Sequence, residues 1–151
     1  MNGVFGILLL MMCLVGTTSG QVMSPVQVDL SAIEQEYLPE IRDFDPSQDM
    51  ISRALREIDS PYYTSKVIVQ QESDLTRVAY DESLVKASVV MNGTPFMTFL
   101  IRHYKSYEIF WLDDEVFQIT NWPGRCLELI TIYSVLERQV VYQTGFQHCG
   151  D

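Results

Sequence analysis

Two histidines, His103 and His148, and three cysteines, Cys13, Cys126 and Cys149, are the side chains of this 151-residue chain best suited to nucleophilic, acid–base or metal chemistry. Nucleophilic catalysis needs a serine or cysteine within hydrogen-bond reach of a base that a third group orients. None of Ser52, Ser88 and Ser106 stands in the glycine-flanked turn that exposes a catalytic serine, and neither histidine belongs to a motif. A structural metal wants four Cys or His ligands at short spacing, and none flank both Cys126 and Cys149. Asp43, Asp45, Ser47 and Asp49 alternate like the start of a calcium loop, but Gln48 stands where the bend needs glycine and Ala54 where a bidentate Glu should be. Asp113, Asp114 and Glu115 suit a polar hairpin tip better than a cation site. The sequence therefore predicts no catalytic residue, no metal and no cofactor.

The first residues say where such a chain works. Met1 to Val28 holds no charged side chain, and Val4 to Val15 is apolar apart from one glycine before the small residues Gly16 to Gly20. An apolar core of this length followed by small residues fits a secretory signal peptide, whereas a spanning helix needs about 20 apolar residues. The expected division is a leader over 1–20 and one globular domain over 21–151, secreted or extracellular (periplasmic if bacterial), with no membrane anchor after cleavage. Cys13 leaves with the leader. Cys126 and Cys149 remain as an even pair in an exported chain, which predicts a disulfide. Export also gives meaning to Asn92-Gly93-Thr94 as an N-glycosylation sequon, although Pro95 follows it directly.

Twenty acidic residues against ten basic ones give a formal net charge of −10. Nucleic acid and anionic membranes are poor partners for such a surface, because binding either displaces counterions with a basic patch.

Two kinds of element must position whatever the chain does. Over 21–63 the pattern predicts an arm and helices: Ser31 and Glu34 as a capping box, then Asp45 as N-cap and Pro46 at the first helical position, with Met50, Ile51, Ala54, Leu55 and Ile58 as one apolar stripe over 46–58. From Lys66 the period changes to two, predicting strands near 66–71, 75–80, 84–91, 95–103, 106–112, 115–120, 126–135 and 140–148, with a helix as the alternative for 127–139. Asn92-Gly93 is the pair best suited to a two-residue hairpin turn. If Glu137-Arg138 forms the last hairpin tip, Cys126 and Cys149 face each other.

Carrying the register outward from Asn92-Gly93 sorts the apolar side chains into two sets. Val85, Val89, Phe96, Leu100, Ile109 and Trp111 fall on one face and would line an apolar cavity if the sheet closed. Phe99, Phe110 and Phe117, with Met97 and Leu112 close by, fall on the other and would form an interaction face. A sheet with one wet face should not be apolar on both sides. The expected fold is thus α+β, an N-terminal helical segment packed on an antiparallel meander of about 6–8 strands in a curved sheet or small barrel. The leading functional expectation is a secreted non-catalytic module that binds a protein partner or a second copy of itself. A small barrel carrying an apolar small molecule is the alternative, and a hydrolase using His103 or carboxylates the third.

Overall fold

The computed structural model describes residues 24–72, 84–104 and 106–149. The leader and the strand expected at 75–80 lie outside the described residues.

The described chain is almost entirely β. Its strands are β1 (Val26–Val28), β2 (Glu40–Asp43), β3 (Arg56–Asp59), β4 (Ser65–Glu72), β5 (Leu84–Met91), β6 (Thr94–Arg102), β7 (Tyr107–Trp111), β8 (Val116–Asn121), β9 (Leu127–Ser134) and β10 (Gln139–Gln147). They form two antiparallel five-stranded sheets, one ordered β1-β10-β9-β8-β7 and the other β2-β6-β5-β4-β3. Ladder pairings stay within each sheet, so the two stack as a sandwich around one core rather than closing as a barrel.

The α+β expectation fails in the N-terminal third, where the described residues hold only two single-turn 3-10 helices, Leu30–Ala32 and Gln35–Tyr37. The cap at the first is Asp29, whose carboxylate accepts from the Ser31 N–H, while Glu34 makes no side-chain cap. Glu40–Asp43 then pairs with β6 as an edge strand, placing Ile41 opposite Phe99. The helix expected over 46–58 is absent as well. Asp45 accepts from both the Ser47 N–H and hydroxyl, closing a tight turn in place of a helical cap. After one turn the chain runs on irregularly until Arg56–Asp59 joins the edge of β4. Met50 and Leu55, two members of the expected stripe, are consequently exposed. Backbone pairing along β4 overrides the helical period.

The strands from β4 onward follow the expected boundaries closely, and Leu127–Ser134 is strand, not helix. Asn92 and Gly93 both take positive φ, 48° and 79°, as a two-residue primed turn requires. Three one-residue bulges then reset the registers, at Gln70 on β4, Phe96 on β6 and Val141 on β10. The second lies beside Pro95, which has no N–H to give a ladder. Beyond it Val89 faces Met97, Ala87 faces Phe99 and Val85 faces Ile101, one residue off the spacing set by the turn alone. A one-residue slip turns a strand's side chains to the opposite face.

Between β6 and β7 the chain leaves one sheet for the other, so the meander is not continuous. This crossing covers the inner, apolar face of each sheet: the chain supplies its own second layer. Phe99 from one sheet and Phe117 from the other stack with centroids 5.5 Å apart, and Trp111 and Tyr133 pack against Phe117 at 5.5 and 5.6 Å. Cys126 and Cys149 are joined with Cα atoms 5.3 Å apart, just past the end of the β9–β10 ladder, where the His148 N–H donates to the Cys126 carbonyl. A bridge closing a loop of this size adds about 3 kcal/mol by restricting the unfolded chain.

Candidate functional site

The residues selected from the sequence do not assemble into the two expected faces. Phe99, Phe117 and Met97 are fully buried in the sandwich core together with Val85, Val89 and Ile109. Phe96, Leu100 and Trp111 are half-buried, with the Trp111 indole donating to the Ile58 carbonyl at 2.9 Å. Only Phe110 and Leu112 of the interaction set remain exposed, at 39% and 48%. The six residues expected around a ligand thus fill space or edge it. Two hollows of about 480 and 390 Å³ flank the 3-10 turns, and none of the six lines either.

The acidic run of the N-terminal third is likewise divided. Asp49 is fully buried on the outer side of the β2-β6-β5-β4-β3 sheet. Its carboxylate receives Arg42 in a two-pronged contact of 2.6 and 2.7 Å, Lys86 at 2.8 Å and the Asp45 N–H at 2.9 Å. Burial pushes the Asp49 carboxyl up, but these donors outweigh it and hold the group well below the usual carboxylate range. Lys86 also donates to the Gln48 carbonyl, and Gln70 to the carbonyls of Asp49 and Met50, so the segment is clamped over the sheet. Asp43 pairs with Arg138 and Asp45 with Ser47, leaving no convergent ligand set there. Among the described residues no three His, Cys, Asp or Glu side chains gather as a metal site.

The histidines stand apart. His148 lies 2.7 Å from Glu128 and packs on Trp122, beside the disulfide that occupies Cys149. His103 is 3% exposed at the crossing between the sheets, its ring 5.1 Å from that of Tyr107. Neither of its nitrogens has a hydrogen-bond partner among the described residues, and no hydrogen bond joins either histidine to a serine there. Burial lowers the His103 pKa, with Glu72 opposing weakly; it also pushes the Tyr107 hydroxyl up to about 12. Because the folded His103 pKa lies below the unfolded value of about 6.5, its stabilising contribution is complete above that pH and falls as pH drops through the folded pKa. His103→Leu should flatten the loss of stability on the acid side of pH 6.5, as read by urea midpoints across pH; an unchanged pH slope would contradict a buried, unpartnered imidazole.

What the fold does gather is one end of the sandwich. The β3–β4 turn, the Asn92-Gly93 turn, the β7–β8 turn and the β9–β10 turn meet there. Tyr62 N–H donates to the Asp114 carboxylate at 3.0 Å, Asn92 N–H to the Thr64 carbonyl at 2.8 Å, and Val135 N–H to the Glu115 carbonyl at 2.7 Å. Asp113 accepts from the N–H groups of Glu115 and Val116, which fixes the β7–β8 tip. Burial raises the Asp114 carboxyl, but hydrogen bonds from Ser60, Tyr62 and Thr64 outweigh it and hold it down, locking two turns together. No family model, curated protein or solved structure matches this chain. The geometry of this end is therefore the guide to function.

Large apolar groups project from it. Tyr62 and Tyr63 are 79% and 80% exposed, Leu136 is 66% exposed, and Leu112 belongs to the same end. All three non-glycine residues with positive φ among the described residues also lie there: Tyr63 at 62°, Asn92 at 48° and Arg138 at 55°. For asparagine that conformation is cheap, but a bulky aromatic held there costs on the order of 1–3 kcal/mol. Tyr62 and Tyr63 fall just past the helix expected over 46–58, where no site was expected. The signal available was Ser60-Pro61-Tyr62-Tyr63, an aromatic pair inside a turn sequence.

Proposed function

We propose that this chain is a secreted, non-catalytic interaction module that docks a protein partner through its turn end. The observation that carries the reading is the exposed Tyr62–Tyr63 pair, with Tyr63 at a turn position of positive φ that glycine would fill at less steric cost. Tyrosine offers large contact area with few rotatable bonds, which is why binding loops carried on β-sandwiches favour it. Leu112 and Leu136 extend the patch, and Asp113, Glu115 and Glu137 form a charged rim around it. Export by a cleaved leader over 1–20 belongs to the same reading, and the Cys126–Cys149 bridge is of the kind an oxidising compartment preserves.

Tyr63→Gly separates function from folding. Glycine adopts positive φ without the steric cost of a side chain, so the substitution should leave folding stability unchanged or raise it by up to about 1 kcal/mol. With a photoreactive side chain in place of Leu136, the secreted chain should form one discrete cross-linked product that excess unlabelled parent chain competes away and excess Tyr63→Gly chain does not. Equal competition by both chains, or equal cross-linking from the same group placed at Thr120 on the outer face of the β1-β10-β9-β8-β7 sheet, would overturn the assignment.

A further inference from the structure

We propose that Asn92 carries an N-linked oligosaccharide and that this modification closes the turn end to a protein partner. The consequence for docking rests on the function proposed above, whereas the modification itself does not. Asn92, Gly93 and Thr94 are all exposed, so the acceptor amide and the hydroxyl two residues on both face solvent. In the transfer, Nδ2 of Asn92 forms a bond to C1 of the first sugar while the C1–O bond to a lipid diphosphate donor breaks. The diphosphate leaves with the bonding pair, and Nδ2 loses one proton. Transfer precedes folding, and the finished turn leaves the glycan pointing outward with nothing to displace. Pro95 directly after the sequon slows transfer, so partial occupancy is the expected state.

The position gives the glycan its effect. The Asn92 N–H is bonded to the carbonyl of Thr64, the residue after Tyr63, so the sugar chain leaves the surface beside the two exposed tyrosines. A bulky, hydrated, mobile group at that point occupies the volume through which a partner would reach Tyr62 and Tyr63. Modified and unmodified chains would then be two functional forms, one shielded and one competent to dock.

The test uses the full chain secreted from cultured animal cells, with chymotrypsin as a protein-sized probe that cuts after exposed tyrosines. Two bands should appear, and peptide N-glycosidase should collapse them to one. Asn92→Gly, which keeps a residue tolerant of positive φ in the turn, and Thr94→Val, which keeps Asn92, should each give only the lower band. Cleavage after Tyr62 or Tyr63 should be at least about tenfold slower in the upper band than in the lower. A single glycosidase-insensitive band would overturn the modification. Two bands cut at equal rates would overturn the closure while leaving the modification in place. Because neither readout needs the partner, their failure is distinguishable from failure of the docking assignment, which the cross-linking competition decides.

Discussion

Replacing Asp49 by asparagine should cost about 3 kcal/mol, the lower end of the range for breaking a buried ion pair by removing one partner. The lower end applies because Arg42 and Lys86 keep 32% and 21% of their side-chain surface in water and recover part of their hydration. Asp49 itself has none, so its carboxylate exists in the fold only because three donors meet it. The loss should appear as a lower midpoint in urea with an unchanged slope. It has a pH signature as well. The folded pKa of Asp49 is depressed, so its contribution is present above the unfolded value of about 3.9 and is lost as pH falls below it. Wild type and Asp49→Asn should therefore converge in stability as the solution is acidified from pH 4, and remain parallel from pH 5 to 8. A constant difference down to pH 2 would mean that the carboxylate is not what Arg42 and Lys86 hold.

The second large effect separates two phenylalanines that alternation along the strands places together. Phe117 has no exposed surface and touches Phe99, Trp111 and Tyr133, so Phe117→Ala should cost about 3–5 kcal/mol. Phe110, one strand away on the outer face, is partly exposed, and Phe110→Ala should cost less than about 1 kcal/mol. Against a total stability of roughly 5–15 kcal/mol for a domain, the first variant approaches unfolding and the second stays native. Chemical denaturation of the two variants side by side measures this directly. Similar losses would put both rings in one environment and return β7 and β8 to the register the sequence implied.

That register shows where legibility ended. Strand positions among the described residues from Lys66 onward were visible because alternating β-branched and aromatic residues are a local property, and Asn92-Gly93 announced its own turn. The bulges were not visible, since each adds one residue whose only mark is a ladder interrupted elsewhere. Pro95 was the nearest sign of the one at Phe96. One residue was enough to move Phe99 into the core and Leu100 to the outer side, while Phe96, the bulged residue itself, packs at the edge of the core. The β7–β8 tip slipped in the same way, because Asp113 accepts two backbone N–H groups and lengthens the turn. The false helix at 46–58 had good local credentials, and what displaced it was long-range: Arg56–Asp59 found the edge of β4, and Asp49 found Arg42 and Lys86. A stripe of apolar residues at helical spacing carries no record of such partners.

The candidate site was the least legible part. Its residues come from four turns separated in sequence by up to about 75 positions, joined through hydrogen bonds that no local pattern predicts. The sequence did mark Asn92 and the acidic tip at Asp113–Glu115 individually, and only the fold brings them beside Tyr62 and Tyr63.

Docking through that end is tested most directly by the affinity of the partner recovered from the Leu136 cross-link, measured by calorimetry against three unglycosylated chains. Relative to Asn92→Gly alone, adding Tyr62→Ser and Tyr63→Ser should weaken binding at least about tenfold, whereas adding Phe110→Ser should change it less than about twofold. Equal affinities for the parent and the tyrosine variant, or a loss confined to Phe110→Ser, would contradict it and move the interface to the outer face of the β1-β10-β9-β8-β7 sheet.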